Sequence, residues 1–310
     1  MKKPIHVLVA ILVVFVMVYL LLMQKERKKL APGKVENFLD LDSALVSRIE
    51  FNKFDTKLIL QKVNQQWYLT EPDSYKADND AVGSLLGTAS HLEVGEVISS
   101  NREKQPLFLV DNFSGTRMEF FAGENRRASV IVGKMSSDFL HAYVRKTDSD
   151  EVYLAQGSFA HLGEAGVNQW RNRAVLSFDP MQVKEIQSGR GKDEFKLSKV
   201  DTAWQISRVP YQPSYQADGK LVGSYIQSLA SMKADEFARK PEIEGIDFTK
   251  PEFWLALTFA DGHVVRLSAT SQGGTDSRYY VKTDQDRSVF VLFEYTFKRL
   301  AKTPDDFRSK

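Results

Sequence analysis

Leu60-Gln61-Lys62-Val63, followed by Trp67, recurs as Leu197-Ser198-Lys199-Val200, followed by Trp204, 137 positions later. Working outward, Val46-Ser47-Arg48-Ile49 is answered by Val183-Lys184-Glu185-Ile186 at the same offset. Ser74-Tyr75-Lys76-Ala77-Asp78 returns as Ser214-Tyr215-Gln216-Ala217-Asp218, and Val82-Gly83-Ser84 as Val222-Gly223-Ser224, now at 140. Tyr143-Val144 and Val152-Tyr153-Leu154 match Tyr280-Val281 and Val289-Phe290-Val291, back at 137. An insertion after Trp204 and a later compensating deletion account for both offsets. So many ordered agreements identify one unit used twice.

Each copy carries the same periodicities. Beyond Asp78, an N-cap residue type, Val82, Leu85, Leu86, Ala89 and Leu92 fall on one helical face. Beyond Asp218 the same five positions hold Val222, Tyr225, Ile226, Leu229 and Met232. Before each helix the apolar residues alternate, in 57–63 and 194–200, as strands do. Gln66–Leu69 and Ala203–Ile206 are their hairpin partners. Further strands are expected near Arg117–Phe121, Ser129–Val132, His141–Lys146 and Val152–Leu154. In the second copy they are expected near Trp254–Ala260, His263–Ser268, Tyr279–Thr283 and Val289–Phe293. A short helix closes each copy, Ser158–Trp170 and Glu294–Lys302. Strands joined by hairpin turns with interposed helices predict α+β with antiparallel sheets.

The first thirty residues differ in kind. Ile5 to Met23 is apolar apart from His6 and Tyr19, and at about 1.5 Å per helical residue it matches a bilayer core. No small-x-small cleavage pattern follows, so an uncleaved signal anchor is expected. Lys25, Arg27, Lys28 and Lys29 outnumber Lys2 and Lys3, which favours a cytoplasmic body. The Met-Lys-Lys start resembles an export signal, and the reading places the body outside the cytoplasm. The whole is therefore an N-terminal transmembrane helix followed by two tandem repeats of an antiparallel-sheet-plus-helix unit. Residues 1–30 form the anchor with its basic flank, 31–45 a linker, 46–176 the first repeat and 177–310 the second.

Composition narrows the chemistry. The 310 residues include no Cys, which excludes disulfides, thiolate nucleophiles, Cys-ligated zinc and iron–sulfur clusters. Beyond residue 30 there are 36 Lys and Arg against 39 Asp and Glu, so nucleic acid is not an expected partner. His6, His91, His141, His161 and His263 form no i, i+4 pair. Gly189-Arg190-Gly191-Lys192 lacks the rest of a phosphate loop and fits a hairpin turn. Asp148, Asp150, Glu151, Asp284 and Asp286 lack the glycine and terminal glutamate of a calcium loop, and solvated hairpin tips explain them better. Trp67 and Trp204 suit core packing better than a glycan platform. Trp170, Arg171 and Arg173 suit an ordered junction, and Asn112-Phe113-Ser114 is a formal glycosylation sequon only. No catalytic, cofactor-binding or metal-ligating residue is nominated, and no cofactor is expected.

The layout resembles a bacterial family classified as a domain of unknown function (number 4340). The resemblance rests on Leu60, Trp67-Tyr68-Leu69, Pro72, Ala77-Asp78, Val132-Gly133, Tyr143-Val144, Val152-Tyr153-Leu154 and the junction from Trp170 to Asp179. A Tyr/Phe-Gly-Leu then Pro element of that family is matched only loosely by Phe108–Asp111 and by Gly245–Phe248 with Pro251. The resemblance implies a gene neighbourhood with ABC-type transporter subunits of the gliding-motility or auxiliary-export kind, and it carries no catalytic residues.

The expectation is thus a non-enzymatic, membrane-tethered accessory or scaffold protein. It would sit in the inner (cytoplasmic) membrane as a single-pass protein with a periplasmic body. Its partners would be the lipid bilayer, through the N-terminal helix, and subunits of an ABC-type complex. The alternative is an extracytoplasmic module that binds a lipid, glycan or cell-wall component. A hydrolase assembled from distant residues would need buried, converging Asp, His or Ser side chains.

Overall fold

The computed structural model describes residues 12–19, 37–156, 159, 161, 166–209, 213–271 and 278–308. Two compact units divide between Arg171 and Asn172. The first sheet is built from β1 (Arg48–Lys53), β2 (Thr56–Val63), β3 (Gln66–Glu71), β4 (Tyr75–Lys76), β5 (Thr116–Ala122), β6 (Asn125–Met135), β7 (His141–Lys146) and β8 (Val152–Gln156). Its strand order is β4-β3-β2-β1-β5-β6-β7-β8. The second comprises β9 (Val183–Arg190), β10 (Asp193–Val200), β11 (Ala203–Val209), β12 (Tyr215–Gln216), β13 (Glu236–Phe237), β14 (Phe253–Phe259), β15 (Val264–Ser271), β16 (Arg278–Thr283) and β17 (Val289–Phe293). Its order is β12-β11-β10-β9-β14-β15-β16-β17-β13, and every neighbouring pair in both sheets is antiparallel.

The α+β expectation is corrected by this count. The described chain is mostly antiparallel sheet with few helices. Two helices of 12 residues stand out, α1 (Asn79–Ser90) and α2 (Gly219–Ala230), and the remaining helices of the two units are a turn or two long. The excess of strand comes partly from β1 and β9, whose sequences show only as short repeated tetrapeptides and which lie in mid-sheet. Each joins the hairpin strands to the strands that follow the helix, with Ile49 between Leu60 and Phe120, and Ile186 between Leu197 and Leu257.

The N-terminal transmembrane helix is corrected too. The described helical segment 12–19 has eight residues, about 12 Å of rise against the roughly 30 Å of a bilayer core. No helix among the described residues is long and apolar enough to cross a membrane. The rest of the apolar run 5–23, its basic flank and residues 158, 160 and 162–165 of the expected helix Ser158–Trp170 lie outside the described residues; Val167–Trp170 is helical. The other closing helix runs from Glu294 to Leu300.

Each sheet buries one face against its helix. Asp78 caps α1 by accepting from the amides of Asp80 at 2.9 Å and Ala81 at 3.3 Å, and Asp218 caps α2 in the same way from Lys220 and Leu221. Val82, Leu85, Leu86 and Ala89 enter the first core, and Val222, Tyr225, Ile226 and Leu229 the second. Phe38, Leu39 and Leu41 are buried in the first core as well, so the chain ahead of residue 46 is part of that unit. Smaller clusters cover the opposite faces, Val110, Ile131 and Val152 in the first sheet and Tyr280, Val289 and Val291 in the second. Gly133 permits the first: a Cβ there would overlap the Phe108 carbonyl oxygen and the Val110 side chain.

The end of each unit returns to the start of its helix. The amide of Asp78 donates to the Trp170 carbonyl at 2.8 Å, and that of Asp218 to the Phe307 carbonyl at 2.9 Å. Both aromatic side chains are fully buried. Trp170 packs on Phe51 with ring centroids 5.3 Å apart, and Phe307 on Phe195 at 5.8 Å and Tyr225 at 5.4 Å. The Trp170 indole N–H is buried without a hydrogen-bond partner. Trp170→Ala is therefore expected to cost about 3–5 kcal/mol in denaturant unfolding. Trp170→Phe, which copies the second unit and deletes the unpartnered donor, is expected to cost far less.

Candidate functional site

The β6–β7 connection runs Ser136-Ser137-Asp138-Phe139-Leu140 and is held by one carboxylate. Asp138 Oδ1 accepts from the Ser136 hydroxyl at 2.5 Å and from the Leu140 amide at 2.9 Å, while Oδ2 meets His141 Nδ1 at 2.8 Å. The Ser136 amide donates to the His141 carbonyl at 2.8 Å and closes the loop. Burial pushes the Asp138 carboxyl up, but the bonds from Ser136, Leu140 and His141, with the His141 charge, bring it down to about 2. Phe139 takes a left-handed φ of +57°, which is costly for a bulky side chain, on the order of 1–2 kcal/mol. The lock holds it there and turns the apolar pair outward: Phe139 is 78% exposed and Leu140 67%.

Ser136, Asp138 and His141 are the residue types of a hydrolytic relay, yet they are connected in the wrong order. A relay puts the imidazole between hydroxyl and carboxylate. Here the carboxylate lies between the other two. A carboxylate with a pKa of about 2 is also far too weak a base to activate a hydroxyl, and Ser136 is buried. The constellation is a turn lock.

At the other end of β7 a buried guanidinium does a similar job. Arg145 Nε donates to the Val110 carbonyl at 2.9 Å. Its Nη1 donates to the carbonyls of Lys146 at 3.1 Å and Ser149 at 2.8 Å, and its Nη2 to Asn112 Oδ1 at 3.0 Å. Burial lowers the Arg145 pKa and the nearby Asp150 charge opposes that. The group ties the 110–112 loop to the β7–β8 turn, and a cleft of about 500 Å³ opens beside it between Arg102, Gln105 and Asp150. The fork is spent on neutral oxygens. In the second unit Lys282 holds the position of Arg145, so this clamp belongs to the first unit.

The residues weighed from sequence fall into ordinary places. Trp67 and Trp204 are core residues. Asp150 accepts from Gln105, Glu151 from the Tyr153 hydroxyl, Asp284 from the Arg266 amide and Asp286 from the Ser288 amide. Gly191 turns the β9–β10 hairpin at φ +61°. His91 contacts the Gly87 carbonyl at 3.0 Å, and His263 contacts Asp261 at 2.6 Å and stacks on Phe259. His6 lies outside the described residues. Arg171 lies 3.7 Å over the Tyr75 ring, and Arg173 donates to the Ala234 carbonyl at 2.9 Å. No group of three metal-ligand side chains occurs among the described residues. Sequence reading missed Asp138, Phe139 and Arg145. An Asp two residues before an amide it caps, in Ser-Ser-Asp-Phe-Leu-His, was the available signal.

The Asp138 lock has a pH signature. Its carboxyl falls from an ordinary 3.8 to about 2 on folding, so the stabilisation is full above the unfolded value and disappears as pH drops through about 2. Asp138→Asn is expected to melt lower than the wild type at pH 7, with the gap closing between about pH 4 and pH 2. Melting temperatures across that range check it.

The family model described as Domain of unknown function (DUF4340) matches residues 67–251 and 208–310. No curated protein and no solved structure matches the chain. The two family matches together run from Trp67, a core residue of β3, through the closing segment of the second unit, and the chain belongs to the family of DUF4340.

Proposed function

We propose that this protein is a non-enzymatic accessory or scaffold protein that docks to subunits of an ABC-type transport complex at the inner membrane. The observation that carries the reading is the Phe139–Leu140 tip. An exposed Phe-Leu pair held in an unfavourable backbone conformation by four hydrogen bonds is a pre-formed apolar anchor, and such anchors suit insertion into a partner's pocket. Support also comes from how the polar side chains are used. Arg145, Asp138 and His141 are occupied with holding loops, which serves rigid presentation rather than turnover. The transporter enters through the family resemblance of the sequence, and the inner membrane follows from the transporter.

Affinity purification of the full chain in mild detergent tests the reading. Transporter subunits are expected to co-purify with the wild type. Phe139→Asp combined with Leu140→Asp is expected to lower their recovery at least about tenfold, as for loss of a buried anchor, while far-UV circular dichroism stays unchanged. Recovery of the protein alone, or equal recovery with the double variant, would contradict it.

A further inference from the structure

The two units differ at one layer of the core. In the first, Phe51 on β1 lies opposite Leu58 on β2 and Met118 on β5, is buried, and packs on Trp170. The register of the second sheet puts Ser188 at that point, opposite Phe195 on β10 and Leu255 on β14. Phe307 stands for Trp170. The ring of Phe51 is absent from that point, while Phe195 stands in place of Leu58, Tyr225 in place of Leu85 and Phe253 in place of Thr116, so the rings around Ser188 come from β10, α2 and β14. Ser188 is nonetheless buried, at 1% exposure.

A cavity of about 560 Å³ opens at this layer, within the range that accommodates small-molecule ligands, roughly 300–1,000 Å³. Phe195 and Phe253 line its buried part beside Ser188, Arg190 and Lys192 stand at its exposed rim, and Arg208 also lines it. Lys302 adds a fourth cation, against the three carboxylates of Asp193, Glu194 and Asp305. Arg208 is committed to Asp305 at 3.4 Å and Lys302 to Asp306 at 3.7 Å. Arg190 leaves its strand two residues from Ser188, on the same face. Its guanidinium lies 5.6 Å over the Phe297 ring, and among the described residues neither Arg190 nor Lys192 forms an ion pair.

We propose that this cavity binds an amphipathic monoanion of the fatty-acid type. Its apolar body lies along Phe195 and Phe253, where the first unit keeps a ring of its own, and its carboxylate meets Arg190 and Lys192. The site is independent of the docking tip in the first unit.

Calorimetric titration of the full chain with dodecanoate, below its micelle point, tests this. Saturable binding is expected, and dodecyltrimethylammonium, with the same chain and the opposite charge, is expected to bind much more weakly. Ser188→Phe restores the ring of the first unit and is expected to weaken dodecanoate binding at least about tenfold. Arg190→Gln, at the exposed mouth, is expected to weaken it about fivefold and to erase the preference for the anion, on the scale of a partly solvated ion pair. If Ser188→Phe does not fold, the Arg190→Gln comparison decides alone. Absence of saturable binding, equal binding of the cationic amphiphile, or dodecanoate binding unchanged in both variants would overturn the proposal.

Discussion

The interaction on which each unit depends is the return of its last segment to the N-terminus of its helix. A backbone amide that opens the helix, Asp78 or Asp218, finds its acceptor on a residue about ninety positions later, Trp170 or Phe307. The same residue buries a large ring against the sheet. One contact thus satisfies a helix-terminal donor and fills the core between helix and sheet. It also links a local element to the end of its own unit, so the hairpins on one side of β1 or β9 and the meander on the other are closed over a single core.

Within that shared frame the two copies differ in detail. The first invests in loops: the Asp138 lock, the Arg145 clamp and the close approach at Gly133 all hold connections in fixed shapes. The second has Lys282 where the first has Arg145, and Ser188 where the first has the Phe51 ring. Duplication permits this, because a copy that keeps the hydrogen-bonded frame can lose a loop clamp or a core ring while the other copy retains it. The exposed tip lies in the first unit and the cavity in the second.

Much of the secondary structure was legible in residue order. The spacing of Val82, Leu85, Leu86 and Ala89 marks a helix face that is buried in the fold, and 141–146 alternates as β7 does. The class was not legible, because β1 and β9 carry too few alternating positions to register as strands alone, and their identity comes from neighbours on both sides. An apolar run was read as a membrane span, whereas the described helical segment there covers residues 12–19. The candidate site was least legible. Asp138 and Arg145 act through contacts to backbone groups, which leave no spacing rule between side chains, and the Phe51 to Ser188 exchange becomes meaningful only when register aligns the copies.

Native-state hydrogen exchange at the Asp78 and Asp218 amides tests the closure most directly. Both are expected to exchange as slowly as the central strands β1 and β9, and Phe307→Ala is expected to speed exchange at Asp218. Exchange of either amide in the wild type at the rate of an exposed loop would contradict the account.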